Sequence, residues 1–435
     1  MRRAIYDELL KWKASPQRKP LVLYGARQVG KTWLLKEFGK NEYKDTLYVN
    51  FDADPEVHKY FTGSIDPGYI IAGLENHFGR KIDPQGTLII FDEVQENQRA
   101  KDSLKYFNEN APQYHVASAG SFLGIAQGKF PVGQVDELTL RPLSFYEFLE
   151  AAGKSMLLEN IKNQDRSLIP AMSIAAEKIL KEYMYIGGMP EAVTAYIETG
   201  NLHETRKAQE QILNNYKNDF SKHIKGTDIP KVRMLWDSIP VHLSKEKKKF
   251  IYKEINSGAR ASAYENALDW LVNTGLVHKV DRVNDAKLPL AAYADRSAFK
   301  IFMLDTGLLS AAAGLDIRTF YEPDPFVFKE FKGAITEQFV LQELKTLARL
   351  PVCYWGREEG KSEVDFIVQW QNELVPFEVK SGIRKKSKSL EIYRELYNPV
   401  RSVRTTLNNF GITGGLFSIP LFMIASFEEI LTASS

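Results

Sequence analysis

The chain has 435 residues, enough for two or three domains, and 44% of them are hydrophobic, as in an ordinary globular protein. The formal net charge of +2 is nearly balanced, so global charge announces no polyanionic partner. A single cysteine, Cys353, excludes an internal disulfide and a cysteine metal site, and the absence of a long apolar run or signal-peptide pattern points to cytoplasmic residence without a membrane.

Residues 1–150 alternate strand-like and helix-like segments, which predicts a parallel sheet covered on both faces. Leu21–Tyr24 is short and apolar. The eight residues that follow, Gly25, Ala26, Arg27, Gln28, Val29, Gly30, Lys31 and Thr32, form a phosphate-binding loop, and the run from Trp33 to Phe38 has helical spacing. Glycines let backbone N–H groups close around a triphosphate, and the helix N-terminus adds positive dipole. Lys31 can reach the β- and γ-phosphates, and the Thr32 hydroxyl can hold Mg²⁺. Leu47–Phe51 reads as a second strand. Leu88–Glu93 is a buried strand ending in two acids: Asp92 to bind Mg²⁺ through water, and Glu93 to polarise an attacking water. His115–Ala119 is a further strand, ending in Gly120-Ser121, where Ser121 or Ser118 can sense the γ-phosphate. Leu138–Leu140 is a short one.

Residues 151–230 read as helical, broken by Gly187-Gly188-Met189-Pro190. Residues 231–289 read as a small module: a helix over Tyr264–Val272, a strand near Gly275–Val280 and a wing between Val280 and Pro289, the pattern of a winged helix-turn-helix. Residues 290–435 form a third unit. It has a strand and turn over Phe299–Leu308, a long helix from Gly333 to Leu350, strands at Val352–Trp355, Val364–Gln369 and Val375–Val379, and a charged helix after Ser387. Two basic groups, Lys245/Lys247/Lys248/Lys249 and Arg384/Lys385/Lys386/Lys388, read equally well as solvated faces or as polyanion contacts.

This last unit carries a second constellation. Residues two apart on a strand share a face, so Glu378 and Lys380 project together, and Asp365 on the preceding strand can face them. Glu337 on the long helix can add a third carboxylate. Clustered oxygen ligands suit Mg²⁺ or Mn²⁺, and a neighbouring lysine can position a water or stabilise charge on a phosphate. An alternating strand with a charged outer face explains the same spacing.

The chain resembles the prokaryotic AAA+ ATP-binding proteins that end in a domain of unknown function of the DUF4143 type. The resemblance rests on the phosphate loop, Asp92-Glu93-Val94-Gln95, Pro131-Val132-Gly133, Pro142–Leu149, Gly187–Pro190, Asp305–Leu308, Gly333–Leu344 and Glu363–Gly382. The C-terminal unit also resembles the PD-(D/E)XK, restriction-endonuclease-like fold. These resemblances imply an α/β protein in four parts: an AAA+ P-loop core (1–150), a helical lid (151–230), a winged-helix-like module (231–289) and a nuclease-like domain (290–435). They imply ATP or ADP with Mg²⁺ held by Gly25–Trp33 and Asp92, with Ser121 near the γ-phosphate and Pro190 against the adenine. In the C-terminal domain they imply Asp365, Glu378 and Lys380 as catalytic positions, with Glu337 the helix acid and Mg²⁺ or Mn²⁺ as metal. DNA is the implied partner. A homo-oligomer, in ring form, is implied by the family; Gln134 stands where a basic residue often follows Pro-Val-Gly, leaving Arg141 as the nearest arginine finger. An ATP-dependent regulatory switch with an inert recognition domain is the alternative, and a small-molecule kinase fits the large C-terminal unit poorly.

Overall fold

The computed structural model describes residues 1–121, 130–131, 133–164, 168–224, 226–245, 248–256, 258, 260–321, 329–347, 350–357, 362–382, 387–407 and 410–433. Val132, Lys247, Arg384, Lys385 and Lys386 lie outside them. The chain divides into two compact units: Arg2–Arg141 with Asp269–Leu276, and Pro142–Leu268 with Val277–Ser435 and Met1.

In the first unit, β1 (Leu21–Gly25), β2 (Asp45–Asn50), β3 (Thr87–Asp92), β4 (His115–Ser121) and β5 (Asp136–Thr139) form a five-stranded sheet in the order β2-β3-β4-β1-β5. All pairings are parallel. The central strands β1, β3 and β4 are buried along their whole length, as expected of continuous apolar runs covered on both faces. Two of the connecting helices start at side-chain caps: Asp66 accepts from Gly68 N at 2.9 Å, and Asn97 accepts from Ala100 N at 3.0 Å. Because β4 lies between β3 and β1, the carboxyl ends at Asp92, Ser121 and Gly25 are neighbours. That is the edge where parallel sheets bind ligands.

The second unit holds an eight-stranded mixed sheet in the order β12-β13-β11-β10-β9-β8-β6-β7. Its strands are β6 (Val277–Val283), β7 (Ala294–Met303), β8 (Val352–Gly356), β9 (Glu363–Trp370), β10 (Glu373–Val379), β11 (Ser402–Thr406), β12 (Gly411–Thr413) and β13 (Leu416–Pro420). The strand expected near Gly275–Val280 is β6, and its hairpin partner is β7, which holds the Phe299 strand expected in the next unit. The hairpin does not stand apart: β6 pairs in parallel with β8, so the boundary expected at 289/290 runs through one sheet. The stretch expected to be helical does contain the helices Ile169–Ile186, Pro190–Thr199 and Leu202–His223. The long helix runs from Lys329 to Leu347.

A buried polar knot ties four separate stretches of this unit together. Leu143 N donates to Gly188 O at 2.7 Å, and Gly188 N donates to Asp305 Oδ2 at 2.7 Å. Gln342 donates to the Tyr183 hydroxyl at 2.9 Å and accepts from Thr306 N at 2.9 Å. Tyr183 closes the circuit by donating to Leu143 O. A Cβ on Gly188 would lie 2.0 Å from Leu143 O, so only glycine permits this approach. Ser144 and Glu147 form a reciprocal capping box on the helix Phe145–Ala151, and Glu343 accepts from Phe145 N at 2.9 Å at the same helix start.

Glu343 is fully buried and its Oε2 has no hydrogen-bond partner. Burial, with a contribution from Glu147, raises its carboxyl from 4.5 to about 8. A raised folded-state pKa means that stability is full below 4.5 and is lost as pH rises through about 8. The full shift corresponds to roughly 5 kcal/mol. Glu343→Gln mimics the protonated acid, so its advantage over wild type in urea denaturation should grow between pH 5 and about pH 8 and level off above it. A constant difference across that range would show that Glu343 is ionised when folded.

Candidate nucleotide site and C-terminal acidic cluster

The glycine-rich loop turns through two left-handed residues, Gln28 at φ 65° and Gly30 at φ 95°. Gly30 occupies the N-cap of the helix Lys31–Glu42, which has no side-chain cap, so its first N–H groups are left for an anion. Lys31 Nζ folds back onto Gly25 O at 3.0 Å and Ala26 O at 2.8 Å. Thr32 Oγ1 donates to the Asp92 carboxylate, 3.1 and 3.0 Å from its two oxygens. Asp92, at the end of β3, therefore meets the first turn of the loop helix. Trp33 is 47% exposed on the helix surface.

Glu93 sits at φ 49°, a left-handed conformation that is costly for glutamate and turns the chain sharply out of β3. Burial and the adjacent Asp92 raise its carboxyl, while a hydrogen bond from Gln95 and the cations Arg27 and Lys31 pull it down. Burial pushes the Lys31 amine down to about 8, against the pull of Glu93 and Asp92. Ser121 Oγ and Gln28 Oε1 are buried without hydrogen-bond partners, so polar groups around the loop are left waiting for a ligand. Ser118 is instead satisfied, donating to Leu21 O at 3.0 Å. Tyr48, which carries no sequence signal of a role here, donates its hydroxyl to Asp92 Oδ2 at 2.6 Å beneath a Lys36 ammonium 3.4 Å from its ring centroid. Pro190 belongs to the second unit, where it opens the helix Pro190–Thr199. Arg141 is half-buried, and burial lowers its guanidinium.

In the second unit, β9 and β10 pair antiparallel with Phe366 opposite Phe377, which sets Asp365 beside Glu378. Val379 N donates to Asp365 Oδ2 at 2.7 Å, and Lys380 Nζ lies 2.6 Å from Glu378 Oε1. Glu337, on the long helix, lies near enough to raise the Asp365 acid. Two lysines that were not anticipated join as well. Lys248 pairs with Glu337, and Lys300, 1% exposed, bridges Glu363 at 2.5 Å and Glu337 at 3.9 Å. A lone lysine inside the apolar run Phe299-Lys300-Ile301 was the available signal, because a buried ammonium requires a partner. Burial and the neighbouring carboxylates of Glu337 and Glu378 hold the Asp365 acid well above its ordinary range. Burial alone would lower the Lys300 amine, but Glu363, Glu337 and Asp365 together raise it. Of the basic group near residue 248, Lys245 is also committed, to Glu254 at 2.6 Å.

Residues 17–149 match the AAA domain family. The chain carries an AAA-type P-loop ATPase domain. Residues 332–423 match a domain of unknown function, DUF4143, and residues 177–319 match another, DUF8612. Uncharacterized proteins of Mycobacterium bovis and Mycobacterium tuberculosis are each 37% identical over 86 residues, 20% of this chain. The chain spans only 18% of the length of these curated relatives. Among solved structures, a Walker-type ATPase of Pyrococcus abyssi is 15% identical, with a TM-score of 0.44, covering 72% of this chain and 95% of its own. The Orc1 protein of Aeropyrum pernix, solved in complex with DNA, is 13% identical with a TM-score of 0.28, covering 75% of this chain and 92% of its own. No described helix is long and apolar enough to cross a membrane.

The AAA domain's donor set suits Mg²⁺ and a nucleoside triphosphate. It offers a hydroxyl and a carboxylate within 3.1 Å of each other, an ammonium, uncapped helix N–H groups and an orphaned Ser121 hydroxyl. The DUF4143 cluster, as arranged, does not suit a divalent ion. Glu337, Glu363 and Glu378 are paired with ammonium groups, and among the described residues no three His, Cys, Asp or Glu side chains are grouped to hold a metal. Glu337 Oε2 and Glu378 Oε2 are buried without hydrogen bonds, but two oxygens fall short of the coordination such an ion demands. Lys300→Met would strand Glu363 and leave Glu337 to Lys248 alone, so it should cost roughly 3 kcal/mol in a denaturant melt. A loss below about 1 kcal/mol, typical of surface pairs, would mean that Lys300 is not the counter-ion of the cluster.

Proposed function

We propose that the chain binds and hydrolyses Mg·ATP in its AAA domain, and that the C-terminal domain is a recognition module that responds to the nucleotide state without cutting its ligand. The Thr32–Asp92 contact carries the first half, because it places a hydroxyl and a carboxylate where one Mg²⁺ can touch both. Lys31 would leave the loop carbonyls for the phosphates, and the loop and helix N–H groups would hold the β-phosphate. Ser121 would donate to the γ-phosphate. Glu93, fixed by its left-handed turn, would accept the proton of the attacking water. Bound Mg²⁺ would supply positive charge at the phosphates. Pro190 would lie against the adenine, a role that rests on the family resemblance alone.

The lysine pairing of Glu337, Glu363 and Glu378 favours recognition over cleavage, since the cluster already has its counter-ions. DNA is the ligand class to test first, given the restriction-endonuclease resemblance. A second reading, metal-dependent cleavage of a phosphodiester, is supported by the register that places Asp365 beside Glu378 and Lys380. Coupling in either reading requires that ATP favour one conformation over another by differential affinity. Assembly into a ring, with Arg141 or another arginine completing a neighbour's site, belongs to this proposal too.

Lys31→Ala should weaken Mg·ATP binding by at least about tenfold in a fluorescent-nucleotide titration, the loss of one charge-assisted contact. Glu93→Gln should bind ATP normally yet turn it over about 100-fold more slowly. Normal ATP affinity in Lys31→Ala would overturn the assignment of the site; unchanged turnover in Glu93→Gln would remove Glu93 as the base.

A further inference from the structure

Gln95 lies two residues beyond Glu93, in the single 3₁₀ turn Val94–Glu96. The left-handed backbone at Glu93 folds this turn back so that the two side chains meet, and Gln95 Nε2 donates to Glu93 Oε2. The other end of the same amide is unsatisfied: Gln95 Oε1 is buried and has no hydrogen-bond partner. Buried amide oxygens are seldom left this way. The turn has little freedom to relieve it. Glu96 N donates to Glu93 O at 2.9 Å, and Asn97 N donates to Val94 O at 3.2 Å. Asn97 in turn caps the next helix through Ala100 N at 3.0 Å and contacts His58 Nδ1 at 3.1 Å. A rigid turn therefore presents one amide, with one N–H spent on the carboxylate and its acceptor vacant beside it.

A water molecule has two protons. Glu93 can take only one of them, and a water held by one acceptor is free to swing about that bond. We infer that Gln95 positions the hydrolytic water: its N–H fixes the Glu93 carboxylate, and its Oε1 accepts the water's second proton. The inference rests on the ATPase reading. In the step it serves, the water oxygen bonds to the γ-phosphorus and one O–H bond breaks, its proton passing to Glu93. The bond from the γ-phosphorus to the bridging oxygen breaks, and its electron pair leaves on ADP. Gln95 gains and loses nothing; it keeps the second O–H directed and the water's lone pair aimed at phosphorus.

The test compares wild type with Gln95→Met, which is nearly the same size but neither donates nor accepts in this way. Fluorescent ADP and ATP should bind Gln95→Met within about threefold of wild type, while kcat should fall at least about tenfold. Aluminium fluoride tightens ADP binding only where the attacking water is held, so the gain in ADP affinity on adding aluminium fluoride should be present in wild type and lost in Gln95→Met. If Gln95→Met does not fold, Gln95→Glu, isosteric but repelled by Glu93, should show the same pattern. A kcat within twofold of wild type, or an undiminished response to aluminium fluoride, overturns the inference. If Glu93→Gln is slow and the Gln95 variants are not, only the role of Gln95 fails. If wild type turns over no ATP, the ATPase reading fails with it.

Discussion

The hydrogen bond from Thr32 to Asp92 is the constraint from which the rest of the nucleotide site follows. It joins residues 60 positions apart, and it forms only because β3 and β1 flank β4 in a parallel sheet with their carboxyl ends aligned. Two acids at the end of a buried strand would otherwise be an electrostatic liability. Here one is shared with a hydroxyl from the loop helix and with Tyr48, and the other is turned aside by an unusual backbone conformation into the grip of Gln95. The apolar strands supply rigidity, and the polar groups collect where the strands stop.

The second unit handles buried charge differently. Around Asp305 the acid is met by backbone N–H groups from Gly188 and Leu308 and by Gln342, and two glycine-dependent close approaches make this possible. In the Asp365 cluster, Glu337, Glu363 and Glu378 are met by lysines, while Asp365 accepts from the Val379 N–H. Burial is costly for an unpaired carboxylate, and these are the two available remedies. Burial raises the proton affinity of Asp305 and Asp365, which hydrogen bonds from neutral donors offset only in part, whereas Lys248 and Lys300 hold the Glu337 carboxyl below its ordinary range. That contrast underlies the reading of the C-terminal domain as a recognition module.

Much of this was legible in the sequence. The phosphate loop, the strand ending in Asp92-Glu93 and the parallel sheet follow from short-range patterns that parallel strands and tight turns impose, and the AAA match covers the same stretch. The partners of the Asp365 cluster were hidden because Lys248 and Lys300 lie more than 60 residues upstream, and nothing local in a sequence says which acid a buried lysine will meet. The strand near Gly275–Val280 reads as part of a wing ending at Pro289, and the Phe299 strand as part of the next unit; their pairing as one hairpin, and that of β6 with β8, are longer-range events that periodicity does not encode. Strands β11 to β13 were missed altogether; they are short, and Gly411 to Pro420 offers no clear alternation. Gln95 was visible as a letter beside Glu93, and only the vacant acceptor gives it a task.

The most direct measurement is ATP turnover by the wild-type chain with Mg²⁺, run with and without double-stranded DNA, with the DNA then resolved on a gel. The account predicts release of ADP and phosphate while the DNA stays intact. ATP left unhydrolysed, or DNA cut by wild type and spared by Asp365→Ala, would contradict it.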